Sequence, residues 1–289
     1  MLVWRWALLA VLLAASATAA SDPAAAALLA RSVAAFEKNA NNEKQWNWTI
    51  FETRDLVDKS GTLLQHFPTV TSESIIRTDG RRCNAVTAWG DGRAPYLKNA
   101  GPDQRCQAYD ALGTPFQVTL LLQSANARLV QQTPAAITIA VLPDISHAKS
   151  ATYAERCAAA IKASITLDPA TFFPTRIEGA VTESGCDAAF RPIVHYETMT
   201  REPMLSQFRK GVTFSVDYAL QKDKFDNPAN AFWISTTQHY SQTWNSQARV
   251  LYYWGRQLSV IPSKGHLLVK EIKTTAQEFG AGSQLRFDK

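Results

Sequence analysis

The feature that most constrains this chain is a period-two alternation of apolar and polar residues, repeated along most of its length. Val212, Phe214, Val216, Tyr218 and Leu220 alternate with Thr213, Ser215, Asp217, Ala219 and Gln221. Ile161, Ala163, Ile165 and Leu167 alternate with Lys162, Ser164, Thr166 and Asp168, and Trp46-Asn47-Trp48-Thr49-Ile50 follows the same rule. Successive side chains of a strand point to opposite faces, so each segment has one apolar and one wetted face. That is the signature of a mostly antiparallel sheet. Counting segments gives roughly ten strands, and a sheet that large curls. Its concave face must be covered by helices or lined around a cavity. The expected fold class is therefore α+β, mainly β. It is a large curled antiparallel sheet, a half-barrel, covered by an N-terminal helix and one or two short helices.

Punctuation between the strands is clear in places. Asp22-Pro23 is a helix start, and Leu28, Leu29, Val33 and Phe36 recur at helical spacing, predicting a helix over 23–44 that frays at Asn41-Asn42. A strand from Trp46 to Val57 ends at the turn Asp58-Lys59-Ser60-Gly61. The strand region 62–77 is interrupted by Pro68, which marks an edge or a bend. Asp79-Gly80 turns into a strand over 82–89, and 90–113 is a Gly- and Pro-rich loop. Residues 116–124 fit a short helix after Thr114-Pro115, but Phe116, Val118, Leu120 and Leu122 also fit a strand. Ile137, Ile139 and Val141 form a strand stopped by Pro143, and 147–158 is helix-friendly. Asp168-Pro169 turns the chain before a strand over 176–181. Strands over 232–240, 249–254 and 267–272 follow, and 274–289 reads as a polar tail.

Residues 1–20 carry Arg5, an apolar run from Trp6 to Ala15 and small residues at Ala17, Ala19 and Ala20. This is the pattern of a secretory signal peptide cleaved near Ala19 or Ala20, and the run is short of the roughly 20 residues of a membrane span. The expectation is a periplasmic or secreted chain with a single domain over 21–289 and no transmembrane segment after cleavage. Four cysteines, Cys83, Cys106, Cys157 and Cys186, suit an oxidising compartment. Their spacing lacks any C-x-x-C and so disfavours a metal site. Local pairing, Cys83–Cys106 and Cys157–Cys186, closes the shortest loops. The net charge of +5 is spread along the chain. Without a basic stripe, a nucleic-acid partner is not expected.

Motifs of chemistry are sparse. The five histidines make no H-E-x-x-H pattern, and there is no G-x-S-x-G, G-x-G-x-x-G or P-loop. His195 and Glu197, two apart, could share a strand face as an acid–base couple, but they lack a third partner. Neither catalytic residues nor a cofactor are assigned, and a non-catalytic role is favoured. Asn47-Trp48-Thr49 is an N-glycosylation sequon. The aromatic cluster Trp233, Tyr240, Trp244, Tyr252, Tyr253 and Trp254 can fill a β core or line a ligand pocket. The candidate ligand-binding residues are Trp233, Tyr240, Trp244, Tyr252 and Trp254.

The order of these elements resembles a known family. A leader and one helix precede aromatic-rich strands at 45–53. A Pro-terminated strand over 137–143 leads through a short helix to Ile165-Thr166-Leu167-Asp168-Pro169 and Pro174-Thr175-Arg176-Ile177-Glu178. A long strand with Tyr218-Ala219-Leu220 then precedes another pair of strands. This pattern is similar to the periplasmic lipoprotein-carrier (LolA-like) half-barrel family, in a divergent bacterial envelope form. The resemblance implies an antiparallel sheet curled around an apolar cavity that binds acyl chains without chemistry. The implied partner is a lipid or an acylated protein; the alternative is an envelope assembly component acting through surface contacts. The four cysteines and the loop at 90–113 stand outside that pattern.

Overall fold

The computed structural model describes residues 22–42, 46–76, 82–90, 92–93, 106–107, 118–124, 126–145, 153–183, 194–195, 200–201, 210–244, 250–253, 256–259 and 266–278. The chain opens with helix α1 (Pro23–Asn42), then β1 (Trp46–Val57), β2 (Leu63–Ile76), β3 (Arg82–Trp89), β4 (Gly92–Arg93) and β5 (Cys106–Gln107). The middle holds α2 (Val118–Leu122), β6 (Ala127–Gln132), β7 (Ile137–Val141), α3 (Tyr153–Ala159), β8 (Ile161–Leu167) and β9 (Pro174–Val181). The last part holds β10 (Val194–His195), β11 (Thr200–Arg201), β12 (Thr213–Gln221) and β13 (Phe232–Trp244). It ends with β14 (Val250–Tyr253), β15 (Arg256–Ser259) and β16 (His266–Glu278).

Twelve strands form one open antiparallel sheet in the order β4-β3-β2-β1-β16-β13-β12-β9-β8-β7-β6, with β5 beside β3. The pairs β10–β11 and β14–β15 are separate ribbons. This is the expected mainly-β half-barrel with an N-terminal helix. Where the sequence left 116–124 open, α2 settles it: Val118, Leu121 and Leu122 are the buried residues, a helical spacing. Pro68 does not mark an edge, because β2 lies between β1 and β3. The register with β1 slips there, Val70 facing Glu52 while Phe67 faces Arg54, so Pro68 sits in a bulge that needs no ladder N–H.

Two expectations need correction. The segment 274–278 belongs to β16 and is no polar tail: Thr274 to Glu278 pair with Ile50 to Trp46 of β1. Nor does α1 fray at its end. The Asn42 side chain donates to the Ala229 and Ala231 carbonyls at 2.9 and 2.8 Å, and α1 stops at Asn42.

Register explains how the core is laid out. One row of facing residues runs Glu52, Ile272, Gln238, Val216, Ile177, Ile165, Ile139, Leu129 across eight strands. The next row runs Arg54, Lys270, Tyr240, Phe214, Gly179, Ala163, Val141, Ala127. Both rows lie on the concave face, and from β12 to β6 they are apolar and buried or nearly so. Gly179 in the second row has a packing reason. A Cβ there would meet the Lys162 carbonyl at 2.6 Å and Phe214 Cζ at 3.0 Å. We expect Gly179→Ala to lower stability by about 2 kcal/mol through overpacking. An unchanged urea midpoint would refute this.

Candidate functional site

Helix α1 roofs the apolar part of the concave face. Its buried residues, Ala25, Leu28, Leu29, Ser32, Phe36 and Asn39, follow the helical period. Both ends are tethered to the sheet. Asp22 caps the N-terminus, accepting from the Ala24 and Leu129 amides at 2.9 and 3.1 Å, while its own amide donates to the Ala127 carbonyl. Those amide bonds hold its carboxylate below the usual range. At the other end the Asn39 amide group donates to the Trp233 carbonyl and accepts from the Trp233 amide, at 2.9 and 2.7 Å. Ala127 and Leu129 lie on β6, and Trp233 lies on β13. From Asp22 to Asn39 a helix rises about 26 Å, and the five strand spacings between β6 and β13 amount to about 24 Å. The helix therefore crosses the strands and covers β6 to β13.

Under its C-terminal half sits an aromatic cluster. Phe173 stacks on Phe36 at 4.4 Å and on Trp233 at 5.2 Å between ring centroids, and meets Tyr218 edge-on at 5.6 Å. The Asp168-Pro169 turn produces this placement. The Asp168 carboxylate accepts from the amides of Ala170 and Thr171, and Phe172 takes a positive φ of 60°. Phe173 enters the core, while Phe172 lies 3.3 Å under the Arg31 guanidinium of α1.

Beyond the roof the concave face becomes polar. Glu52 accepts from Arg54 at 2.6 Å and pairs with Lys270 at 2.9 Å. The side chains of Glu52, Arg54 and Lys270 are 16, 8 and 19% exposed. Burial alone would raise the Glu52 pKa, but the fields and hydrogen bonds of Arg54 and Lys270 outweigh it and hold the value at about 2. Alongside, the Tyr240 hydroxyl donates to the Gln238 Oε1 at 2.8 Å, and the Gln238 Nε2 donates to the Ser235 hydroxyl at 3.1 Å. Gln238 and Ser235 are fully buried. The site is a boundary: an apolar trough under α1 that ends at a polar, charged stripe.

Of the residues chosen from sequence, Trp233 and Tyr240 reach this face. Both point inward because the β12–β13 register slips at Thr236 and shifts the phase between them. Trp233 is part of the aromatic cluster under α1, and Tyr240 belongs to the stripe. Trp244 ends β13, and Tyr252 is on the separate β14–β15 ribbon. The side chains of both lie outside the described residues, as does Trp254. His195 is in β10, but its side chain and Glu197 lie outside them too. Cys186 does as well, and so do the side chains of Cys83 and Cys106. Cys157 is buried in α3 and is not a free thiol. Asn47 of the sequon sits within β1, where its side chain accepts from Ser74, a poor place for a glycan. Among the described residues, no group of three or more His, Cys, Asp or Glu is placed to hold a metal ion.

The stripe went unread in the sequence, although it left a signal. Glu52 and Arg54 fall on the even phase set by Trp46, Trp48 and Ile50, so a charge occupies positions where the strand's own period demands apolar side chains.

No protein-family profile and no curated protein matches the sequence. Solved structures do resemble it at low identity. One is a DUF1329 family protein from Desulfovibrio piger, at 9% identity and TM-score 0.36, over 88% of this chain and 93% of that one. A LolA superfamily protein from Nitrosomonas europaea follows, at 9% identity and TM-score 0.27, over 86 and 94%. A third is from the MucA/MucB complex of Pseudomonas aeruginosa, at 10% identity and TM-score 0.25, over 86 and 99%. No described helix is long and apolar enough to cross a membrane.

Proposed function

We propose that this chain is an exported, non-catalytic protein that holds a lipophilic ligand or acylated partner against its concave face. The observation that carries the reading is the apolar trough from β12 to β6, roofed by one helix that is tied down mainly at its ends. Lifting the roof breaks a few hydrogen bonds, each worth about 1 kcal/mol net, and exposes Leu28, Leu29 and Phe36, about 1.5–3 kcal/mol each, which the buried ligand must offset. An acyl chain gains about 0.8 kcal/mol for each methylene it buries, so no special residue is needed to hold it. In this reading Trp233 and Tyr240 line the trough and its end, and Trp244, Tyr252 and Trp254 are ligand contacts proposed from the sequence alone. The domain is 21–289, residues 1–20 are removed on export to the periplasm or beyond, and disulfides lock the product. Cys83 is assigned to Cys106, which lies on the neighbouring strand β5. Cys157, already not a free thiol, is assigned to Cys186.

Native mass spectrometry of protein exported to a bacterial periplasm and purified without detergent tests the reading. The expected result is an adduct of lipid mass that is lost on denaturation. A clean apo mass, with no uptake of added fatty acid, would refute it. The second reading, an envelope component acting through surface contacts, is favoured by Phe225, which is 77% exposed on a loop fixed by the Asp223 carboxylate. That reading would then take over, and recovery of one defined protein partner from envelope extracts would support it.

A further inference from the structure

Helix α1 carries a hydroxyl in the middle of its sheet-facing stripe. Ser32 is 0% exposed, set between Leu28 and Leu29 on one turn and Phe36 on the next, all three of them in the apolar core. Its Oγ has no hydrogen-bond partner. The floor holds a second such group. Thr274 of β16 is 5% exposed, faces Ile50 and lies two residues from Ile272 and Ala276, which belong to or pack against the same core. Its hydroxyl is also without a partner. The fold requires neither. Alanine is the better helix former at 32, and valine suits a strand as well as threonine at 274. A buried O–H without an acceptor lowers stability, whereas an apolar group of the same shape is neutral or stabilising there. The two hydroxyls lie at different depths. From Ser32 to Asn39, where α1 is tied to β13, the helix rises about 10 Å, and β16 is the next strand beyond β13. In the other direction α1 runs back from Ser32 to Asp22 for about 15 Å over apolar floor. Beyond Ile272, the stripe residues Gln238, Tyr240 and Arg54 are buried, so that end of the trough favours a small head over a polypeptide.

We infer that Ser32 and Thr274 are hydrogen-bond donors to the occupant of the trough, and that this occupant is an uncharged acyl ester lipid. Its ester carbonyl meets Ser32, its small polar head meets Thr274, and its tail runs under the N-terminal half of α1. This rests on the carrier reading above and adds the ligand class to it. Burial of the tail supplies the affinity, and a few polar groups in an apolar site fix orientation and specificity. A neutral carbonyl matches a lone hydroxyl in apolar surroundings, where a charged group would cost far more to dehydrate.

Binding of monopalmitoylglycerol, the ether lipid hexadecylglycerol and methyl palmitate to the delipidated protein tests this. The ether keeps the head but lacks the carbonyl, and the methyl ester keeps the carbonyl but lacks the head. The wild type should bind monopalmitoylglycerol about fivefold more tightly than either, the worth of one hydrogen bond. Ser32→Ala should weaken both esters about fivefold, leave the ether unchanged and raise the urea midpoint of the empty protein. Thr274→Val should weaken the two glycerol lipids alone, again with a raised midpoint. Affinity lost while stability is gained separates donation to a ligand from a packing role, and a lowered midpoint in both variants would overturn the inference. Equal affinity of the wild type for ester and ether, or ester binding untouched by Ser32→Ala, would overturn the ester assignment and leave the carrier reading intact. Tighter binding of a palmitoylated peptide than of monopalmitoylglycerol would overturn the small head in favour of an acylated protein. Failure to bind any of these probes would overturn both readings.

Discussion

Glu52→Gln is expected to cost about 3 kcal/mol of folding stability at pH 7, and to cost much less in acid. The wild-type carboxylate has a pKa of about 2 in place of 4.5. A tenfold change in proton affinity between the folded and unfolded chain is worth about 1.4 kcal/mol, so the ionised group contributes about 3 kcal/mol above its unfolded pKa. A depressed carboxylate keeps that contribution above pH 4.5 and loses it as the pH falls through 2. At pH 3 roughly half or less remains. The glutamine variant cannot titrate, so the gap between the two proteins narrows over this window. It also leaves Arg54 and Lys270 facing each other across β1 and β16 without the carboxylate between them, which adds to the loss at neutral pH. Urea unfolding at pH 7 and pH 3 measures both quantities. Equal midpoints at pH 7, or a gap that does not change with pH, would show that the stripe is no linked ion cluster.

That stripe also marks where sequence reasoning stopped. The sheet itself was legible because a half-buried antiparallel strand prints its two faces at period two, as β7, β8 and β12 do with buried Ile139, Ile165 and Val216. The edge strand β6 left no such print. Val130 is bulged out and 63% exposed, and the register with β7 slips beside it. The end of β16 hid for another reason. The inward positions over 274–278 are Thr274, Ala276 and Glu278, two of them polar, so a paired strand looked like a polar tail. The aromatic choices divided in the same way. Trp233 and Tyr240 lie seven residues apart, an odd number that would put them on opposite faces of a regular strand. The slip at Thr236 reunites them, and a one-residue slip is the kind of event that composition and period do not record. Charges on an apolar phase, by contrast, were visible. Glu52 and Arg54 could have been picked out by asking which inward positions break the pattern.

Phe173→Ala is the apolar counterpart, with an expected loss of about 3–5 kcal/mol. Phe173 is the ring on which α1 rests: it stacks on Phe36 of the helix and on Trp233 of β13, and it meets the edge of Tyr218 on β12. Deleting it opens a cavity among rings that belong to three separate segments, and such a site cannot collapse without moving the helix. The asymmetry with its neighbour is the control. Phe172 is partly buried, takes a positive φ and contacts Arg31 from the outer side of the turn, so Phe172→Ala should cost about 1 kcal/mol, the worth of one cation–π contact. Amide hydrogen exchange distinguishes a loosened roof from a general loss of stability. In Phe173→Ala, the amides of α1 should exchange faster than those of β8 and β12 by more than the global change in stability accounts for. Uniform acceleration across helix and sheet would mean that α1 opens only when the whole sheet unfolds. A lifting roof, and with it the route by which a ligand would enter the trough, would then be excluded.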